Sequence, residues 1–236
     1  LYLDGAFVEG RSTARVQVRN PADGSLLTEY AGASPAALRD ALAATERGFA
    51  TWSRVLALER FRIITRATAL IRERAAAIAR VLTLEQGKPL AESLREVQLA
   101  ADIIDFLAEE GKRLAARGVP PRSPGVASQT VMRVPVGPVA AFTPWNFPSN
   151  LPARKLGGAL AAGCSIIIKP DEQVAAACLE MARAFHDAGL PKGVLGVVMG
   201  NPAEISSTLI ASPVIAKVSF TGSVPVGKQR GELAAR

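Results

Sequence analysis

Ser165-Ile166-Ile167-Ile168-Lys169 is a short apolar run, uncharged until its last residue, and Val139–Thr143, Val194–Met199 and Lys217–Thr221 read alike. Strands that are apolar on consecutive residues bury both faces, the pattern of a parallel sheet with helices on each side. The stretches between them, 151–162, 174–188 and 202–211, read as helices, and strand–helix alternation specifies an α/β fold. Such folds take ligands beyond the carboxyl ends of their strands, so candidate chemistry is sought there.

Outward toward the amino terminus the text is helical behind a short β entry. Leu3–Val8 and Arg15–Val18 read as hairpin strands, with turn chemistry in Asn20-Pro21-Ala22-Asp23-Gly24. Ser34-Pro35 supplies an N-cap and a first-turn proline for a helix running toward Trp52. From Glu59 to Glu85, Ile64, Ala67, Ile71, Ala75, Ile78 and Leu82 recur at steps of three and four, one buried face of a single helix. Gly87 ends it and Pro89 opens the next, which Gly111 and Gly118 weaken and Pro120-Pro121 close. Gln129–Val134 reads as a strand in a solvent- or partner-facing ribbon. These elements divide the chain into 1–118, a hairpin and helices packing on the rest; 119–136, a β-ribbon; and 137–236, the strand–helix region.

Composition narrows the functions. The 236 residues carry 28 basic and 21 acidic groups, net +7, but no run of five like charges, so a nucleic-acid arm is not expected. No window of 18 apolar residues is present, so no membrane span is expected. Cys164 and Cys178 are too few to staple a chain of this size and suit a reducing cytoplasm. A single histidine, His186, and no Cys/His/carboxylate cluster leave no metal site to expect.

Three strand ends carry candidate chemistry. Thr143-Pro144-Trp145-Asn146-Phe147-Pro148 brackets an amide between two prolines, a stiff mount from which Asn146 could donate to an oxyanion or cap the next helix. Lys169-Pro170-Asp171-Glu172 places a Lys and a Glu where they could bond ribose hydroxyls, or form a solvated loop pair. Phe220-Thr221-Gly222-Ser223 runs from strand through glycine to helix, a geometry that aims N–H groups at phosphate. Gly222 to Lys228 also satisfies G-x-x-x-x-G-K, but Gln229 stands where a triphosphatase loop needs a hydroxyl for magnesium.

Taken together, Thr143–Pro148, Arg154-Lys155-Leu156, Ala159–Cys164, Lys169–Glu172 and Phe220–Ser223, in this order and spacing, resemble the aldehyde dehydrogenase superfamily. The wording around Asn201–Ile205 and Ser223–Lys228 is most similar to the NAD-dependent succinate-semialdehyde dehydrogenase-like branch. The resemblance implies a Rossmann-like sheet, an NAD cofactor with NADP as the alternative, and a homodimer or homotetramer assembled through the 119–136 ribbon. It implies Asn146 as oxyanion donor and Lys155 as proton-relay partner. Trp145, Lys169, Pro170, Asp171, Glu172, Gly222 and Ser223 fall to the cofactor, and Arg154 and Phe147 to the substrate. Gly200 falls where the family's loop approaches the adenosine, but Asn201-Pro202 follows it in place of a second glycine.

The family's catalytic glutamate and nucleophilic cysteine come later than Arg236, with the catalytic domain. The resemblance therefore implies the cofactor half of a semialdehyde dehydrogenase, inactive alone; a truncated nucleotide- or partner-binding module is the second reading. Cys164 follows Gly163 at the start of a buried strand and is expected to be inert packing, as is Cys178.

Overall fold

The computed structural model describes residues 1–235. Tyr2–Leu3 (β1) and Ala6–Phe7 (β2) are joined by Asp4-Gly5, both at positive φ (46° and 79°), the tight turn of a two-residue hairpin. The expected Leu3–Val8 strand is thus itself a hairpin. Arg15–Arg19 (β3) pairs instead with Leu26–Ala31 (β4), across the 20–24 turn. Pro35–Trp52 (α1) follows, and the Ser34 hydroxyl accepts from the Ala37 amide as its cap.

The expected 59–85 helix is two helices, Ala57–Glu73 (α2) and Ala75–Gln86 (α3), broken at Arg74 (φ −93°, ψ 5°). Both turn their apolar stripes to one core, so the spacing runs on through a single bridge-region residue. Gly87, left-handed at φ 87°, stops α3 as expected. Leu90–Gly111 (α4) then runs to Gly111 without interruption, because that glycine is a packing site: a Cβ there would sit 2.9 Å from the Cβ of Ala161. Arg117–Val119 (β5) and Gln129–Val131 (β6) form an exposed antiparallel ribbon.

Val139–Phe142 (β7), Asn150–Ala161 (α5), Ile166–Lys169 (β8), Ala176–Asp187 (α6), Leu195–Val197 (β9), Pro202–Ile210 (α7), Lys217–Phe220 (β10) and Val224–Ala234 (α8) complete the alternation. The sheet order is β10-β7-β8-β9-β1-β2, parallel from β10 to β9 and closed by the antiparallel amino-terminal hairpin. Val139, Ala141, Ile166, Ile168 and Val197 belong to one core, with side chains of α2–α6. Ala140, Phe142, Ile167 and Val198 belong to the other, with Leu38 and Leu42 of α1 and Ile205 and Leu209 of α7. The period-two alternation of β-strands sends neighbours to opposite layers, each fully buried aliphatic contributing about 1.5–3 kcal/mol.

Candidate active site

The carboxyl ends of β7, β8 and β10 open on one edge of the sheet, and the three sequence stretches lie there. The 143–148 loop is tied back by the Thr143 amide, which donates to the Lys169 carbonyl at 3.2 Å. Trp145, Asn146 and Phe147 are exposed at its tip. Asn146 does not cap α5: the N-cap is Ser149, which makes no side-chain cap bond, and the Ser149 and Asn150 amides donate instead to Oε1 of Glu96 at 2.8 and 3.2 Å. Glu96 of α4 is buried and ion-paired with Lys88. Lys88 also donates to the Asn146 carbonyl at 3.2 Å and lies 4.6 Å over the Phe147 ring.

At the end of β8 the Lys169 ammonium, almost fully buried, is paired with the Glu172 carboxylate, and the Tyr30 hydroxyl donates to the Glu172 carbonyl at 2.8 Å. Pro170 is buried and fixes the exit from the strand. Asp171 is half-buried, and burial pushes its carboxyl above the ordinary value. Beside it, burial pushes Glu85 up to about 7 while its Oε2 accepts from the Ala176 amide at the start of α6.

At the end of β10 the Thr221 amide donates to the Phe142 carbonyl at 3.1 Å. Gly222 follows where a Cβ would meet the Phe220 ring, 2.5 Å away. Ser223 is the N-cap of α8 with its hydroxyl outside any cap bond. Because α8 begins at Val224, residues 224–228 are helix and cannot wrap a triphosphate, so the G-x-x-x-x-G-K reading fails on geometry. Gly200, at φ 136°, is required by packing: a Cβ there would press on Gly32 at 3.1 Å.

Arg154 and Lys155 stand in the second turn of α5. Lys155 lines a cavity of about 750 Å³ with Arg60, Lys112, Arg133 and Lys217, and burial, then the Lys217 charge, lowers its ammonium pKa. Arg154 is exposed; it borders the same cavity and also a smaller groove of about 370 Å³ walled by Leu99, Ile103, Phe106 and Leu107 of α4. Asp102 also borders that groove, but Arg72 holds its carboxylate at 2.7 Å; no carboxylate of the described residues pairs with Arg154.

Cys164 and Cys178 are buried, and burial pushes the Cys178 thiol up to about 12. Among the described residues no group of His, Cys, Asp and Glu could hold a metal, and no helix is long and apolar enough to cross a membrane.

The sequence model of the aldehyde dehydrogenase family matches residues 7–236. The chain belongs to that family. A 4-(hydroxymethyl)benzenesulfonate dehydrogenase of Comamonas testosteroni is 49% identical over 236 residues, all of this chain and 49% of the relative. A glutarate-semialdehyde dehydrogenase of Pseudomonas aeruginosa is 38% identical over 228 residues, 97% of this chain and 47% of the relative. The crystal structure of a succinate-semialdehyde dehydrogenase from Burkholderia pseudomallei superposes with a TM-score of 0.96 at 40% identity, covering 99% of this chain and 48% of that one. Solved family members are named as NAD-dependent and as NADP-dependent enzymes. This aldehyde dehydrogenase chain spans about half the length of the relatives it matches.

The residues at the sheet edge fit a nicotinamide dinucleotide. Thr143 Oγ1 is buried with no partner among the described residues, Ser223 Oγ is free of capping, and Lys169 and Glu172 offer a donor and an acceptor side by side. Sequence reasoning missed Lys88, Glu96 and Tyr30, which come from other elements and belong to no local motif, and the approach of Lys217, at the start of β10, to Lys155.

Proposed function

We propose that this chain supplies the cofactor-holding and oxyanion-donating half of an NAD-linked oxidation of an anion-bearing aldehyde, such as succinate semialdehyde, to its carboxylic acid. The observation that carries the reading is Arg154, a guanidinium unpaired among the described residues, one turn into the helix that the Asn146 loop enters. The three relatives support it, since their named compounds all carry a sulfonate or a carboxylate. In this reading the 137–236 region holds the dinucleotide, 1–118 buttresses it, and the exposed 119–136 ribbon joins copies into a homodimer or homotetramer in the cytoplasm.

Asn146, held by Pro144 and Pro148, points its amide at the developing aldehyde oxyanion, a donor whose loss costs about 10²–10³ in kcat. Phe147 walls the substrate and Trp145 shields the cofactor side. Lys169 and Glu172 bond the ribose hydroxyls, with Pro170 and Asp171 shaping that turn. Gly222 and Ser223 bring N–H and O–H groups to the pyrophosphate. The nicotinamide, when bound, accepts the hydride. Lys155, with its lowered proton affinity, passes a proton between the substrate side and the cavity lined by Lys217.

A second reading differs only in the substrate body. The apolar wall of Leu99, Ile103 and Phe106 beside Arg154 suits an aromatic ring bearing a sulfonate. Turnover of succinate semialdehyde, 4-formylbenzenesulfonate and butyraldehyde by an enzyme containing this chain separates the readings. Both anionic aldehydes are expected to exceed butyraldehyde in kcat/KM, and the better of the two names the substrate body. Equal values for all three would overturn the anion-bearing substrate.

A further inference from the structure

We infer that Lys88 and Glu96 are positioning residues for the oxyanion loop, acting on Asn146 from the far side of the α4–α5 contact. The inference rests on the proposed role of Asn146. The loop's own bonds, from the Thr143 amide to Lys169 and from the Leu151 amide to the Phe147 carbonyl, leave its junction with α5 uncapped. Its N-cap side chain, Ser149, makes no cap bond, and Ser149 Oγ and Asn150 Oδ1 are buried without partners among the described residues. The Ser149 and Asn150 amides, which no backbone carbonyl of the loop reaches, are satisfied from outside by one oxygen of Glu96, at 2.8 and 3.2 Å, while the Leu151 amide donates to the Phe147 carbonyl at 3.1 Å. The other oxygen of Glu96 holds Lys88.

Lys88 in turn fixes the two residues at the loop tip that face the reaction. Its ammonium donates to the Asn146 carbonyl at 3.2 Å and sits 4.6 Å from the Phe147 ring centroid. One carboxylate therefore sets where the helix begins, and its counter-ion sets where the peptide carrying the Asn146 amide lies. Neither side chain reaches the aldehyde; both are almost wholly buried, with side-chain exposures of 12% and 3%. A paired charge in that setting is a rigid reference point, because breaking it strands the partner in a poorly solvated place. A misplacement of the oxyanion donor by an ångström is enough to lose much of its effect.

The test is a mutant cycle in an enzyme containing this chain, read as kcat, KM for NAD⁺ and Tm. Lys88→Met is expected to lower kcat tenfold or more while KM for NAD⁺ stays within twofold, since the ribose and pyrophosphate contacts lie on other strands. Glu96→Gln keeps an acceptor for the two α5 amides but loses the charge that holds Lys88, so it is expected to match Lys88→Met in kcat with a smaller fall in Tm. Lys88→Arg, which keeps the charge, is expected to recover at least half of the loss. On an Asn146→Ala background Lys88→Met is expected to cost nothing further, because a positioning residue has nothing left to position. If Lys88→Met lowers only Tm, or its loss multiplies in full with that of Asn146→Ala, the positioning role is overturned and the oxyanion role of Asn146 stands. If Asn146→Ala itself leaves kcat unchanged, the oxyanion role falls and the inference with it.

Discussion

The Lys169 ammonium and the Glu172 carboxylate are closed on each other at the carboxyl end of β8, three residues apart across Pro170. In the proposed site a ribose would meet a carboxylate that already has an ammonium partner. An acidic acceptor favours a free 2′-hydroxyl, but the adjacent ammonium softens its repulsion of a 2′-phosphate.

On the proposed reading, a preference for NAD⁺ rests on Glu172 and the affinity for either nucleotide on Lys169. Glu172→Ser is expected to weaken NAD⁺ binding by about 1–3 kcal/mol, the range for a charged hydrogen bond, and to bring NADP⁺ level with it. Lys169→Met is expected to weaken both. Calorimetric titration of the two nucleotides checks this; an unchanged NAD⁺-to-NADP⁺ ratio in Glu172→Ser would remove the carboxylate from the ribose site.

Glu85 predicts how stability responds to pH. Burial raises its pKa to about 7 from an ordinary 4.5, so between those values the folded chain holds a proton that the unfolded chain has released. Stability from this group therefore falls as pH rises through that window, by up to about 3 kcal/mol. Glu85→Gln keeps an acceptor for the Ala176 amide and is neutral throughout. It is expected to flatten the stability profile between pH 4.5 and 7 and to raise Tm above pH 7. Urea melts across that range measure it, and a variant with the same slope as the parent would show that Glu85 ionises freely in the fold.

Lys155 predicts a pH shift in turnover. Burial is the larger cause of its lowered pKa, and the Lys217 charge adds to it. Lys217→Gln removes only the repulsion, so the Lys155 pKa is expected to rise part of the way toward 10.5. The kcat profile of an enzyme containing this chain should move its Lys155 limb to higher pH in Lys217→Gln and lose it in Lys155→Met. A limb that stays in place in both variants would take Lys155 out of the proton path.

What could be read in advance follows the range of the interactions. The parallel strands were legible because burial on both faces writes Ile166-Ile167-Ile168 into consecutive positions, and the Ser34-Pro35 start because capping is local. The Arg74 break was hidden, since α2 and α3 share a core and the apolar spacing passes through it. The strand β4 was missed because no residue of Leu26–Ala31 is buried and its apolar residues do not alternate with polar ones. Asn146, Lys169 and Glu172 announced themselves through neighbouring prolines. Glu96 did not, because its partners lie 53 and 54 residues away and only α4 packing on α5 makes them neighbours.

Arg154, in its proposed role, gives the sharpest prediction about the substrate. It is exposed in the second turn of α5, unpaired among the described residues, with the Leu99, Ile103 and Phe106 wall on one side and Lys155 next to it in sequence. The alternative in which it merely braces the helix against a nearby carboxylate has no partner to use, since Asp102 is engaged by Arg72 at 2.7 Å. A guanidinium binds a carboxylate or sulfonate through two parallel bonds, and a neutral aldehyde leaves that fork unused. Arg154→Ala is therefore expected to lower kcat/KM for succinate semialdehyde or 4-formylbenzenesulfonate by about 10- to 10²-fold, the range of one charge-assisted contact of about 1.5–3 kcal/mol, and that for butyraldehyde by less than about threefold. Arg154→Lys keeps the charge without the fork and should fall between. Parallel losses on charged and neutral aldehydes would mean that Arg154 shapes α5 and does not read the substrate's anion.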